Sequence, residues 1–196
     1  NGQSCLPLER IRTGAHMASA TRTFGQDIYS FFALEAALAS FVARAAHRMR
    51  TQGMRARRVS VFMNTNRHKP QFRRFYAETK LQYGLSDTGA LSSIATQLLT
   101  QCYQKGVPYY RAGVTLHDLE PDEAIQTDLL GYINVEEQGK SHRRMALLDR
   151  LNDKYGRRTL HFASEDITRA WEPRRKRSSP RYTTNWDELP LLKIAN

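Results

Sequence analysis

Hydroxyl, amide and cationic side chains recur at even spacings in four short stretches of this sequence: Ser19, Thr21 and Thr23; Ser60 and Asn64; Lys80 and Gln82; Arg111 and Thr115. Groups of this kind, interleaved with backbone amides, are what phosphate oxygens need, and they carry little information about bases. Basic residues gather close by at Arg55, Arg57, Arg58, Arg67, Lys69, Arg73 and Arg74. The pattern suits contact with a nucleic-acid backbone. It also suits a solvated polar face whose charge serves solubility.

Residues for covalent or metal chemistry are harder to find. Metal-dependent phosphoryl chemistry needs close carboxylates, and Glu165-Asp166 is an adjacent pair with no motif around it. An acid at a helix N-terminus is the simpler reading of that pair. The six histidines, at 16, 47, 68, 117, 142 and 161, lack metal-ligand spacing. There is no glycine-rich phosphate loop and no nucleophile elbow. The expectation is a chain without catalytic residues, metal site or cofactor of its own.

Composition points the same way. A net charge of +11 and a pI near 10.0 attract polyanions, of which nucleic acid is the commonest. On charge alone, an anionic membrane surface or a ribosomal location would also fit. No stretch approaches the ~20 apolar residues of a membrane span, and no signal peptide opens the chain, so no membrane partner is expected. Two cysteines, Cys5 and Cys102, stand far apart, which favours a reducing cytoplasm over a disulfide scaffold. The chain opens with Asn1 rather than Met. A piece of a longer protein is expected on that ground, although a tag scar would do the same.

The elements that must position these side chains can be read from periodicity. Leu34, Ala37, Leu38, Phe41, Val42, Ala45, Ala46 and Met49 form one helical stripe, with Arg44, His47, Arg48 and Arg50 on the opposite face and Gly53 as the stop. Leu91, Ile94, Ala95, Leu98, Leu99 and Cys102 form a second, capped by Ser86 or Asp87, with Gly106 beyond its end. Cys102 falls on the apolar stripe, which predicts a buried structural thiol. Strands are predicted over 16–24, 58–64, 75–82 and 109–116, with the plainest alternation in the last. The order β-α-β-β-α-β predicts an α+β fold, a four-stranded antiparallel sheet with two helices on one face and the other face free. The hydroxyls and cations above fall on that free face.

Particular runs resemble a known family. Ser19-Ala-Thr-Arg-Thr-Phe-Gly25 is similar to the Ser-Arg-Ser-Phe-Gly segment that opens the little finger domain of UmuC-type Y-family DNA polymerases. Tyr110-Arg-Ala-Gly-Val-Thr-Leu116 resembles that domain's last strand, and Cys5-Leu6-Pro7-Leu8-Glu9 resembles the end of the connector from the thumb. Met145-Ala-Leu-Leu-Asp-Arg-Leu-Asn152, Tyr155-Gly-Arg157 and Ser179-Pro-Arg-Tyr-Thr-Thr184 with Trp186 resemble the small module that closes UmuC-type chains. The resemblance implies a connector at 1–13 and a little finger domain at 14–118. It implies a linker at 119–141 and a small C-terminal module at 142–196 that is helical and loop-rich. It implies DNA contact by Ser19, Thr21, Arg22 and Thr23, and by Asn64, Arg67, Lys80 and Arg111. The loop from Asn64 to Phe75 is more basic than the family pattern. The family's catalytic carboxylates, and the Mg they hold, belong to a palm upstream of residue 1. The resemblance thus implies the non-catalytic, primer–template-gripping part of an error-prone polymerase of the SOS response, working in the bacterial cytoplasm at the nucleoid.

From Ala112 through Gly139 there is no Lys or Arg, while Asp118, Glu120, Asp122, Glu123, Asp128, Glu136 and Glu137 all fall there. A charge switch of this kind marks a boundary. Within it, Gln126-Thr-Asp-Leu-Leu130 resembles the peptide by which bacterial polymerases hold the sliding clamp. Gln126 and Asp128 would make polar contacts at a pocket rim while Leu129 and Leu130 fill an apolar cleft.

At the C-terminal end, Arg143 to Tyr155 is predicted as a helix with Met145, Leu147, Leu148 and Leu151 apolar, and Thr159 to Phe162 as a short strand. About fifty-five residues are few for independent stability, so this part is expected to dock on a partner or on the rest of the enzyme. Arg174-Arg-Lys-Arg177 suits either phosphate binding or a solvated tail. The resemblance links this end to accessory subunits, UmuD′ and RecA. Two other classes compete: a stand-alone ferredoxin-like RNA-binding domain, which would show aromatics on its central strands, and a protein-interaction module with an acidic partner. Phe62 is the one clear aromatic among the free-face positions, which disfavours RNA.

Overall fold

The computed structural model describes residues 16–122, 135–165, 171–172 and 179–189. The expected connector, the Gln126–Leu130 peptide and the Arg174–Arg177 run lie outside the described residues.

The elements run β1 (Met17–Ile28), α1 (Phe31–Arg50), β2 (Met54–Asn64), β3 (Arg74–Leu85), α2 (Thr88–Cys102), β4 (Tyr109–Pro121) and α3 (Val135–Tyr155). The strands form one antiparallel sheet in the order β1-β4-β2-β3. Helix α1 lies over β1 and β4, and α2 over β2 and β3. This is the predicted β-α-β-β-α-β fold.

Both helices begin and bury as their sequences dictate. Ser30 accepts a hydrogen bond from the Ala33 backbone N–H, and Asp87 accepts one from Ala90 at 2.9 Å, which satisfies orphan donors in each first turn. The whole α1 stripe from Leu34 to Met49 is buried. On α2, Leu91, Ala95, Leu98 and Leu99 are buried, while Ile94 and Cys102 pack at the rim. These stripes meet Ala56, Val59, Val61 and Met63 of β2 and Ala112, Val114 and Leu116 of β4. Burying a large apolar side chain stabilises by about 1.5–3 kcal/mol, so this layer is the main source of stability. Gly53 ends the α1 turn with a φ of +65°, where a side chain would be strained.

The strands are longer than predicted, and at the shared end of β2 and β4 an ion pair spans the added rungs. Arginines at the start of β2 read as a loop, yet Met54, Arg55 and Ala56 pair with Pro121, Glu120 and Leu119 of β4. Arg55 Nε lies 2.8 Å from Glu120 Oε1 across that pair. Glu120 is thus a sheet residue, and β4 runs into the segment expected to be linker. At the other end of that segment α3 starts at Val135, well before Arg143.

The C-terminal part docks on the sheet domain. Met145 is buried where the Thr88 N–H meets its sulfur at 3.4 Å, but Leu147 faces solvent, against expectation. Arg50 donates to Asp149 from Nε at 2.7 Å and from Nη2 at 2.8 Å, and His47 Nδ1 lies 3.1 Å from the same carboxylate. The basic outer face of α1 therefore receives two aspartates of α3, Asp149 and, 3.7 Å from His47 Nε2, Asp153. Residues Thr159 to Phe162 form a bend and irregular backbone rather than the predicted strand. The Asn152 side chain bonds both the N–H and the carbonyl of Leu160 at 2.9 Å, so those backbone groups need no neighbouring strand.

Candidate nucleic-acid interface

In an antiparallel sheet, directly paired residues share a face. The register therefore sorts the free face into four rows running across β1, β4, β2 and β3. They are Thr23–Arg111–Asn64–Arg74, Thr21–Gly113–Phe62–Tyr76, Ser19–Thr115–Ser60–Glu78 and Met17–His117–Arg58–Lys80. Successive rows are two residues apart along each strand, about 7 Å.

The rows differ in charge. In the first, Arg111 and Arg74 are exposed, and neither has a carboxylate within ion-pair distance among the described residues. Arg111 Nη2 donates to the Thr21 hydroxyl at 3.3 Å, which holds the guanidinium over β1. The turn joining β2 to β3 lies beyond this row and carries Arg67 and Arg73, both exposed. That turn is braced from within. Thr65 Oγ1 accepts from the Arg73 N–H at 2.8 Å, and Asn66 Oδ1 accepts from His68 at 2.9 Å. Lys69 is not free for a ligand, because its Nζ lies 2.7 Å from Asp27, whose carboxylate holds the ammonium above its ordinary pKa.

In the fourth row Arg58 is compensated, while Lys80 is exposed with no carboxylate within ion-pair distance among the described residues. Arg58 lies 3.0 Å from Asp118 and 3.5 Å from Glu78, and the hydrogen bond to Asp118 raises the guanidinium pKa further. His117 sits beside Arg58, and burial, then the Arg58 charge, hold it below the usual histidine pKa. It is neutral at neutral pH and lies 2.8 Å from the Ser60 hydroxyl. Cationic character is thus concentrated at the end of the sheet that bears Thr23, Arg111, Arg74 and Arg67.

The second row is aromatic. Phe62 lies against Gly113: a Cβ there would come within 2.6 Å of Phe62 Cε1 and 2.5 Å of Thr21 Cγ2. Only glycine lets the ring approach the sheet so closely. Arg111 Cζ stands 5.9 Å from the Phe62 centroid, within cation–π range. Tyr76 is 50% exposed, and its hydroxyl donates to Glu78, which keeps that proton bound above the ordinary tyrosine pKa.

Of the residues expected to contact DNA, Thr21, Thr23, Asn64 and Arg111 come together, with Arg67 in the adjoining turn and Ser19 two rows away. Arg22 does not join them. It pairs with Ala112, whose face is the buried one, so it sits at the helix-side edge of β1. Lys80 lies at the opposite end, six residues along β3 from Arg74, about 20 Å away. Sequence reasoning counted Arg74 only among the basic residues beside the strands and gave Tyr76 no role. Starting the strand at Phe75 left Arg74 in the loop, but the alternation Arg74, Tyr76, Glu78, Lys80 was available as a signal.

An α+β domain whose open sheet face has one cationic end defines the class of protein. Residues 15–129 match the C-terminal domain of the impB/mucB/samB family, and the chain belongs to that family. Residues 142–192 match a second description, a domain of unknown function (DUF4113). Protein MucB of Salmonella typhimurium is 30% identical over 98% of this chain and 45% of its own length. Protein UmuC of the same species is 30% identical over 98% of the chain and 46% of its own length. The chain thus spans about half the length of the curated relatives it matches, and the UmuC-type resemblance read from the sequence holds. Among solved structures, an insertion ternary complex of Dbh DNA polymerase aligns with 54% of this chain and 29% of its own at 14% identity and a TM-score of 0.46. A complex of the beta-clamp processivity factor and the little finger domain of PolIV aligns with 58% of this chain and 98% of its own, at 17% identity and a TM-score of 0.41.

Proposed function

We propose that this chain is the DNA-gripping, non-catalytic C-terminal region of an error-prone, lesion-bypass DNA polymerase of the UmuC type. Its sheet is then the little finger, and Thr21, Thr23, Asn64, Arg67 and Arg111, joined by Arg74, neutralise phosphates of the primer–template. Ser19 supports them from the third row, while Arg22 and Lys80 stand apart. One observation carries the reading: Arg111 and Arg74 flank Asn64 on an open face with no carboxylate beside either among the described residues. Membership of the impB/mucB/samB family supports it.

In this reading nucleotide transfer, and the Mg it uses, is assigned to the remainder of the polymerase. Among the described residues no group of three His, Cys, Asp or Glu is placed to hold a metal ion. Gln126, Asp128, Leu129 and Leu130 tether the enzyme to the sliding clamp, a role supported by their match to the clamp-binding pattern. UmuD′-type subunits and RecA are the accessory partners that the family suggests for the C-terminal end, and the setting is SOS repair at the bacterial nucleoid. Among the described residues no helix is long and apolar enough to cross a membrane.

The test is binding to a labelled primer–template duplex over a range of salt concentrations. Affinity should fall steeply as salt rises, because neutralised phosphates release counterions. Salt-independent binding would instead favour an acidic protein partner. For the clamp, a Leu129→Ala, Leu130→Ala double variant should lose clamp binding and keep duplex binding.

A further inference from the structure

We propose that the Thr21–Gly113–Phe62–Tyr76 row is a stacking step for an unpaired base, so that the open face also binds single-stranded DNA. This goes beyond the duplex grip and rests on the nucleic-acid reading of the same face.

Three observations carry it. The first is the pair of rings. Phe62 on the inner strand β2 and Tyr76 on the edge strand β3 are direct cross-strand partners on the free face. Phe62 is held close to the sheet by the missing side chain of Gly113, and Tyr76 stands half in solvent. Aromatic side chains on an open sheet are platforms for splayed bases, and such stacking tolerates any sequence because every base has a π-face.

The second is charge order. The aromatic row has cations on one side and a carboxylate on the other. Arg111 and Arg74 occupy the row before it, while Glu78 and the compensated Arg58 lie beyond. A nucleotide laid across these rows has one favourable polarity, with its phosphate toward Arg111 and Arg74 and its base over Phe62 and Tyr76. The row spacing of about 7 Å is comparable to the reach from a phosphate to its base. Glu78 repels a phosphate, and as an acceptor it suits an N–H on the edge of a base, such as the N3–H of thymine.

The third is fixation. The Tyr76 hydroxyl donates to Glu78, and the Arg111 guanidinium is held between the Thr21 hydroxyl and the Phe62 ring. Less side-chain entropy is then lost when a base arrives.

The experiment uses the whole chain with a labelled oligothymidine of about twelve nucleotides, within the usual footprint of such surfaces. A duplex of equal length and an oligouridine serve as comparisons. The expected result is single-strand binding that Tyr76→Ala weakens about ten-fold and that Tyr76→Phe, which keeps the ring and loses only the hydroxyl tie to Glu78, weakens less than about three-fold, with duplex affinity changed less than about two-fold. Arg111→Ala should weaken both ligands. If Tyr76→Ala leaves single-strand affinity unchanged while Arg111→Ala lowers it, phosphates alone hold the strand and the stacking step is refuted. Tighter binding of the oligouridine also overturns the assignment. Duplex binding without single-strand binding defeats this inference alone, whereas loss of both defeats the nucleic-acid reading itself.

Discussion

Trp171 meets Phe41 edge-on, with ring centroids 5.2 Å apart and planes inclined by 82°, and it meets Phe24 the same way at 6.3 Å. Its carbonyl accepts a hydrogen bond from the Gly25 N–H at 3.2 Å. A tryptophan from the C-terminal part thus belongs to the core under β1 and α1, and it braces β1 where the strand leaves register with β4 between Thr23 and Ile28. The sheet domain and the segment after it share a core rather than touching at their surfaces. Trp171→Ala should cost about 3–5 kcal/mol, the usual range for deleting a buried aromatic. Trp171→Phe should cost less, because the indole N–H is buried without a hydrogen-bond partner among the described residues. Urea denaturation followed by circular dichroism measures both. Tryptophan emission gives a second check, since Trp186 is 88% exposed and Trp171 only 2%. Removing Trp171 should leave the red-shifted emission of a solvated indole.

The Arg50–Asp149 pair makes this docking sensitive to acid. Burial alone would raise the Asp149 pKa, but the hydrogen bonds and charge of Arg50, with His47, outweigh it and hold the carboxyl below its reference value of 3.8. A folded-state pKa below the unfolded one means stability that is present above the unfolded value and lost as pH falls through the folded value. Asp149→Asn should therefore cost about 2 kcal/mol near neutral pH, between the values for exposed and fully buried ion pairs. The lower part of that range is favoured because Arg50 keeps the Ser86 carbonyl and the Thr88 hydroxyl as partners. The gap between the urea midpoints of wild type and variant should narrow as pH falls below 3.8 and close as it passes through the lowered folded-state pKa. A gap that stays constant across that window would show that the charge is not what Asp149 contributes.

Cys102 should be a poor nucleophile. Burial raises its thiol pKa to about 11, and the S–H donates to the Leu98 carbonyl at 3.2 Å. At about pH 8 roughly one thiol in a thousand is then ionised. In a Cys5→Ser background, a thiol reagent should label the native chain far more slowly than the urea-unfolded one. Equal rates would mean that the end of α2 opens readily.

Much of the fold was legible because its signals are local. The α1 and α2 stripes and the Asp87 cap depend on residues a few positions apart, and helix periodicity reports them directly. What escaped the sequence depends on partners distant in the chain. The Arg55–Glu120 pair turned an apparent loop and an apparent linker into paired strands, and nothing near Arg55 announces Glu120. The basic face of α1 gave no sign that Asp149 would cover it. On the free face, hydroxyls and cations were readable from alternation, but the rows that group them follow from register. A bulge between Ala56 and Arg58 shifts the pairing of β2 with β3, and such shifts are invisible to a period-two pattern. Phe62 was visible and Tyr76 was not, since a tyrosine on an edge strand reads equally as core.

The rows make a sharper prediction about the grip than the sequence did. Each lost phosphate contact reduces the dependence of log affinity on log salt by about one unit, so the slope counts contacts as well as strength. Arg111→Ala and Arg74→Ala should each lower duplex affinity and flatten the slope by about that amount. Lys80→Ala should change the slope little, because Lys80 stands about 20 Å along β3 from the row of Arg111 and Arg74. Arg22→Ala should behave like Lys80→Ala, since Arg22 registers with Ala112 on the helix side. If Lys80→Ala flattened the slope as much as Arg111→Ala, the strand would run along β3 from one end of the sheet to the other. The confinement of phosphate contacts to the Thr23–Arg111–Asn64–Arg74 end would then be wrong.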